Sequence, residues 1–256
     1  MRILMIAAAI AFHVAVCVSP AGAAEARQDT LWERAVSIVQ EGGQWLPGLM
    51  VIGIRETDKH GEPKDDNFNE TWYRNKPGKD GEVVGEQVKI IRDGVDVTEE
   101  VMAESQDIEG DAKVEGKEDD ETVSVSFGSD SYSPFDSTAQ QDLKVRTTGD
   151  LEVIRGKPCA VYEFEGSGEE QEVVSGTAWL EQGTGLPVRV RYTKDPLPKD
   201  MKKMWTTIDY DPTPDSLAVV NKASVQITAG SLFFKKHIRF TMTLSEYWKK
   251  PGELRD

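Results

Sequence analysis

The sequence predicts a mainly antiparallel β protein with a few helices. One stretch near the N-terminus has helical periodicity, and the chain after it divides into short segments rich in Val, Ile, Thr and aromatic residues. Turn residues, above all Gly, Asn, Asp and Pro, separate these segments. Near the C-terminus Ile238, Phe240, Met242 and Leu244 alternate with polar side chains, as in a strand with one buried face.

The N-terminus has the layout of a secretory signal. Arg2 precedes an apolar run over 3–18, and a proline and a group of small residues follow. The run is shorter than the roughly 20 apolar residues that a spanning helix needs. We therefore predict a signal peptide over 1–24, cleaved after Ala23 or Ala24, and export of the mature protein.

The mature chain is predicted to be one domain without disulfides. Lipid anchoring at Cys17 is not expected, because a lipoprotein signal has a small residue before its cysteine, where this chain has Val16. Removal of the signal leaves Cys159 alone, so the domain over 25–256 must be held together by its own core. No Pro/Ser-rich linker divides it.

Charge argues against nucleic acid as a partner. The chain has 45 acidic and 30 basic residues and a net charge of −15, whereas each phosphate contact needs Lys or Arg. The acidic side chains concentrate around 105–121, where apolar residues are scarce. We expect a mobile surface excursion there, and no calcium site, since the oxygens lack the spacing of a calcium loop.

The first element is a predicted helix. Thr30 and Glu33 have the spacing of a capping box, apolar residues follow at helical intervals, and Gly42 and Gly43 end the pattern. A second, short helix is predicted over 98–105. The predicted strands are 49–57, 68–74, 83–92, 122–127, 143–155, 159–165, 173–180, 186–193, 204–210, 219–229 and 233–248.

The hairpin between 173–180 and 186–193 is the most specific of these predictions. Gly183 and Gly185 lie in its turn, where positive φ is expected. In the second strand Val188 and Val190 should face the core, with the arginines that follow each of them facing water.

No catalytic or metal-binding motif is present in the sequence. The mature chain offers only His60, His237 and Cys159 as imidazole or thiolate ligands, without paired spacing. There is no Gly-x-Ser-x-Gly motif, and the glycines at 166 and 168 are followed by acids that would repel a phosphate. We expect no enzyme, no cofactor and no metal; a hydrolase that uses two carboxylates stays open, because pairs of acids cannot be located in sequence.

The segments Gly176-Thr177-Ala178-Trp179-Leu180 and Gly183-Thr184-Gly185-Leu186-Pro187-Val188-Arg189 resemble the LolA family of periplasmic lipoprotein carriers. The order of elements is also similar: signal peptide, N-terminal helix, antiparallel meander and a late Phe-rich strand at 233–234. The resemblance implies a half-open β-barrel with an N-terminal helix, a periplasmic location, and a role in outer-membrane lipoprotein sorting. It also implies an apolar interior that accepts acyl chains of a lipid or lipoprotein.

Two interpretations of the aromatic and aliphatic strand residues remain open. They form an ordinary core, or they line a pocket for an apolar ligand such as a lipid or the acyl chains of a lipoprotein. The alternative to a carrier is a structural or interaction module that meets other envelope proteins. From strand register, the candidate lining residues are Trp72, Tyr162, Phe164, Trp179, Val188, Val190, Ile208, Phe240 and Met242.

Overall fold

The computed structural model describes residues 21–64, 68–78, 83–108, 132–168, 172–197, 201–230 and 235–250. Two helices are named below, α1 Ala21–Gly42 and α2 Thr98–Ile108. The strands are β1 Trp45–Leu46, β2 Leu49–Thr57, β3 Asn69–Pro77, β4 Val83–Arg92, β5 Val95–Asp96, β6 Lys144–Ile154, β7 Lys157–Ser167, β8 Val173–Glu181, β9 Pro187–Asp195, β10 Met201–Pro212, β11 Ala218–Ala229, β12 Lys236–Ser245 and β13 Trp248–Lys249.

One 11-stranded sheet dominates the fold, in the order β5-β4-β3-β2-β12-β11-β10-β9-β8-β7-β6. Every neighbouring pair in it is antiparallel. Within β2–β5 and within β6–β12, strands that follow each other in the chain lie side by side. The pairing of β2 with β12 joins these two groups and places β5 and β6 at opposite ends of the sheet. The predicted fold class, mainly antiparallel β with few helices, is confirmed.

The sheet is open. β5 and β6 occupy its two ends, and within the described ranges they do not pair with each other. The expected half-open barrel is therefore a curved open sheet and not a closed barrel. β1 and β13 form a separate two-stranded ribbon, in which Trp45 is paired with Lys249.

Tight turns set the register of two hairpins. Asp93 and Gly94, between β4 and β5, have φ values of 49° and 77°, and Arg155 and Gly156, between β6 and β7, have 53° and 80°. Positive φ at both central residues matches the right-handed twist of the flanking strands. In the β8–β9 turn only Gly185, at φ 79°, is left-handed. The expectation of positive φ at Gly183 was wrong, because this longer turn needs one left-handed residue.

α1 begins earlier than predicted. Its first residue is Ala21, so Thr30 lies inside the helix and is not its N-cap. The residues before Thr30 include several alanines, which are the strongest helix formers and extend the helix toward the N-terminus. The predicted end at Gly42 is confirmed. A Cβ at that position would overlap the carbonyl group of Ala218, so Gly42 allows α1 to approach β11.

The last predicted strand, 233–248, is two strands. Glu246, between β12 and β13, has a φ of 55°, which interrupts the extended backbone. α2 is longer than predicted. β1 and β5 were not predicted, because a strand of two residues is too short to show an alternating pattern.

Several predictions lie wholly or largely outside the described residues. These are the signal segment up to residue 20, the strand at 122–127, most of the acidic excursion and the Phe-rich segment at 233–234. Among the helices that the structure describes, none has the length and apolar character that crossing a membrane requires.

Candidate functional site

A continuous row of paired residues runs across nine strands on the face of the sheet that α1 covers, named below the helix-covered face. Its members, each directly opposite the next, are Tyr162, Ala178, Val190, Ile208, Ala223, Met242, Ile52, Thr71 and Ile90. Because directly opposite residues point to the same side of a sheet, this row crosses a single face. All but Thr71 are apolar, so an apolar band extends from β7 to β4.

α1 and the segment before β6 fill the β7–β11 part of this face. The ring centroid of Trp32, on α1, lies 5.1 Å from that of Phe135 and 5.6 Å from that of Tyr162. Phe135 in turn lies 6.1 Å from Tyr210, edge on. Aromatic pairs at these distances are well packed. This part of the face is a core.

Most of the predicted lining residues belong to buried positions. Tyr162, Phe164, Val190 and Ile208 are in the same buried cluster as Trp32, each at most 5% exposed. Val188 is buried as well, at 2% exposed. Their alternation was predicted correctly. α1 and the segment before β6, in which Tyr132 stacks on Phe164, cover this part of the sheet.

The part of the helix-covered face on β2 and β12 is less covered. Ile54 is 40% exposed, and its direct partner Phe240 is 4% exposed. Ile52, Ile238 and Met242 are half-buried. We name these five side chains the apolar wall. α1 contacts mainly β8 and β11, whereas α2 contacts β4, so the apolar wall lies between the strands that carry the helices.

The apolar wall continues into a second buried cluster. Val225, Ile227 and Phe240 form its centre, and Met201 and Met204 pack against it. Methionine side chains are flexible and adapt to irregular apolar surfaces. Apolar side chains therefore extend without interruption from Ile54 on β2 to Met204 on β10.

Trp72 and Trp179, the two remaining candidates, lie on the opposite face. Trp72 is paired with Val51 and Trp179 with Arg189, in the register that alternates with the apolar row. The indole nitrogen of Trp72 donates to Glu70 at 3.1 Å, and that of Trp179 donates to Glu152 at 2.9 Å. The structure therefore separates these tryptophans from the other candidates, a division that sequence alone did not reveal.

Burial controls the titration of the groups near this core. It raises the pKa of Tyr132 to about 12 and also raises the pKa of Tyr192, whose rings lie 5.7 Å apart. Burial likewise raises the pKa of the Cys159 thiol. A thiol that stays protonated is a poor nucleophile, so Cys159 has the properties of a structural residue.

Two relationships in this part of the molecule were not predicted from sequence. Trp32 and Phe135 cover the sheet, but Phe135 lies in a stretch without periodicity, which gave no signal of a core residue. The half-exposed Ile54 was missed as a lining candidate, although its strand was predicted. An apolar side chain in a strand predicts burial, and only the position of α1 leaves Ile54 partly uncovered.

No protein-family model matches this chain, and no curated protein matches it. Solved structures match most of its length. A DUF1329 family protein from Desulfovibrio piger is 13% identical with a TM-score of 0.39, covering 88% of this chain and 94% of that one. A putative outer membrane lipoprotein-sorting protein domain from Vibrio parahaemolyticus is 11% identical with a TM-score of 0.32, covering 88% and 95%.

A LolA superfamily protein from Nitrosomonas europaea is also similar, at 10% identity and a TM-score of 0.31, covering 85% of this chain and 93% of that one. The matched structures thus include the family that the β8–β9 hairpin resembles. This similarity agrees with the resemblance that the sequence predicts. At these identities and scores the likeness concerns the fold alone and says nothing about a ligand.

Proposed function

We propose that this protein is a periplasmic binding or carrier protein that holds an acyl-type ligand, such as a lipid or the acyl chains of a lipoprotein, against the apolar wall. The observation that carries the proposal is the 40% exposure of Ile54, on a face where the neighbouring apolar side chains are half-buried or buried. Partial exposure at the margin of a continuous apolar surface gives a ligand access to it.

Binding of an acyl chain requires no catalytic group. Burial of an acyl chain contributes about 0.8 kcal/mol for each CH₂ group, so an apolar surface alone provides affinity. A role in outer-membrane lipoprotein sorting is the specific form of this proposal. It rests on the LolA-like hairpin motif and on the predicted export signal.

A dansyl-labelled fatty acid tests the binding proposal by fluorescence. We expect saturable binding to the full chain and an affinity reduced about tenfold by Ile54→Gln, because a polar amide would lie where the acyl chain is buried. Val153→Gln is the matched control, since Val153 on β6 is 72% exposed and distant in the sheet order. Absence of probe binding, or an equal loss in both variants, would overturn the proposal.

The proposed location is tested by expression with the native N-terminus in a bacterium with an outer membrane. We expect the protein in the periplasmic fraction, with an N-terminus at Ala24 or Glu25 by mass spectrometry. Recovery of the intact chain, Met1 included, from the cytoplasm would contradict export. The same preparation tests the single domain over 25–256, which should unfold in one cooperative transition.

A second candidate is a non-enzymatic interaction module of the cell envelope. Leu151 and Val153, on the end strand β6, are 61% and 72% exposed, and an end strand can pair with a strand of another protein. Probe binding distinguishes the candidates. A module of this kind would leave the fatty acid unbound, and its binding to an envelope protein would depend on Val153 and not on Ile54.

A further inference from the structure

The face of the sheet opposite α1 contains a polar hollow between β2, β3, β11 and β12. Its volume is about 320 Å³, within the range of ligand pockets, about 300–1,000 Å³. Gly53 lies in its lining and, having no side chain, leaves space between Glu70 and Thr241. By strand register the hollow and the apolar wall lie on opposite faces of β2 and β12, and Ile54 borders both.

Two arginines stand directly opposite each other in this hollow. Arg55 on β2 is the register partner of Arg239 on β12, and like charges at such positions destabilise a sheet. The guanidinium of Arg55 lies over the ring of Phe68, 5.2 Å from its centroid. The Nε atom of Arg239 is buried and, within the described part of the chain, has no hydrogen-bond acceptor. A buried charged donor without an acceptor is costly and indicates a missing partner.

Two other cations on this face have carboxylate partners. Arg189 binds Asp209 at 2.6 Å, and Lys144 binds Glu165 at 3.0 Å. Within the described ranges, in contrast, Arg55, Arg239 and the nearby Lys222 take part in no salt bridge.

The charge of the hollow is opposite to that of the chain. Glu70 is the carboxylate in its lining, facing three cations, and its Oε2 atom accepts a hydrogen bond from Trp72. The chain as a whole has a net charge of −15. A local excess of positive charge in an acidic protein attracts anions to this one place.

We propose that this hollow binds the phosphate group of a ligand through Arg55, Arg239 and Lys222. Guanidinium groups form paired hydrogen bonds with phosphate oxygens, and three cations suit a group that carries more than one negative charge. The hydroxyl groups of Ser224 and Thr243 also line the hollow and can donate to the same oxygens. A bound phosphate offsets the repulsion between the paired arginines.

Calorimetric titration of the full chain with inorganic phosphate at low ionic strength tests the proposal. We expect saturable binding and an affinity at least about tenfold lower in Arg239→Gln, because a charge-assisted hydrogen bond is lost. Lys222→Gln should lower it severalfold without affecting the fold, since Lys222 is exposed. Lys144→Gln is the control with the same charge change on the same face, and it should remain within twofold of the wild type.

A second arm separates a free phosphate from a lipid headgroup. Phosphatidylcholine vesicles with and without phosphatidylglycerol are sedimented with the wild type, Arg239→Gln and Ile54→Gln. Binding that needs phosphatidylglycerol and Arg239 assigns the site to a headgroup and supports the proposal even if inorganic phosphate binds weakly. Binding of neither probe, or an equal loss in Lys144→Gln and Arg239→Gln, overturns it. If vesicle binding is lost in Ile54→Gln but retained in Arg239→Gln, the phosphate proposal is overturned and the acyl proposal remains.

Discussion

The indole of Trp32 on α1 lies against the ring of Phe135, with the ring centroids 5.1 Å apart. Its nitrogen donates a hydrogen bond to Gln140 at 3.2 Å. One side chain thus joins the N-terminal helix, the segment before β6 and, through Tyr162, the sheet. The helix-covered face is closed at this end by these contacts.

Replacing Trp32 with Ala should lower the free energy of unfolding by about 3–5 kcal/mol, because it leaves a cavity between α1 and the sheet. Urea denaturation followed by circular dichroism measures this change. Glu33→Ala, at the next and exposed position, is the control and should stay within about 0.5 kcal/mol of the wild type. Similar values for the two variants would mean that α1 does not pack as described.

Gly176 on β8 should not tolerate a side chain. A Cβ there would lie 2.7 Å from Phe164 and 2.7 Å from Tyr192, and it would overlap the carbonyl oxygen of Arg191. We expect Gly176→Ala to destabilise the protein by about 1–3 kcal/mol through overpacking. Gly183→Ala, in the following turn, meets no atom within 4 Å and should be tolerated. Thermal melting of both variants checks the prediction, which a neutral Gly176→Ala would contradict.

Tyr132 should make stability fall at high pH. Its pKa is raised to about 12 by burial, above the value of about 10 in an unfolded chain, so the folded state holds the proton more strongly. This contribution is complete below pH 10 and is lost as the pH rises toward 12. The hydroxyl oxygen is buried and has no hydrogen-bond partner in the described part of the chain.

Tyr132→Phe should therefore raise the free energy of unfolding at pH 7 by about 1 kcal/mol, by removing an unsatisfied group. Its advantage over the wild type should grow between pH 10 and 12, because the variant has no proton to lose at this position. Urea denaturation at pH 7, 10 and 11 measures both effects. If the difference in the free energy of unfolding between Tyr132→Phe and the wild type became smaller above pH 10, the pKa of Tyr132 would not be raised in the folded state.

Arg189 should stabilise the pair of strands β9 and β10. Its Nε and Nη2 atoms donate to the two carboxylate oxygens of Asp209 at 2.6 and 3.2 Å, and the Asp209 side chain is 16% exposed. Arg189→Ala should cost about 1–2 kcal/mol, since it leaves a poorly solvated carboxylate. Lys144→Ala breaks a pair in which the lysine is 82% exposed and should cost less than about 0.5 kcal/mol. If Arg189→Ala and Lys144→Ala lowered the free energy of unfolding equally, the burial of Asp209 would not strengthen its ion pair with Arg189.

Local patterns predicted the strands well. The alternation in β12 and the two-strand hairpin of β8 and β9 depend on neighbours in the chain, and the structure has both. The start of α1 was missed because a capping pattern at Thr30 competes with an alanine-rich sequence that continues the helix. Glu246 was missed as a strand break because a left-handed glutamate has no sequence signature.

The sequence by itself determined the antiparallel class, the alternation of apolar and polar positions and most strand bounds. The alternating pattern of a strand depends only on residues that are close together in the chain. Tertiary structure alone decided that β2 pairs with β12, that α1 covers Tyr162 while Ile54 remains partly exposed, and that Arg55 stands opposite Arg239. These residues are far apart in the chain, and only the register of strands and the placement of α1 bring them together or leave them uncovered.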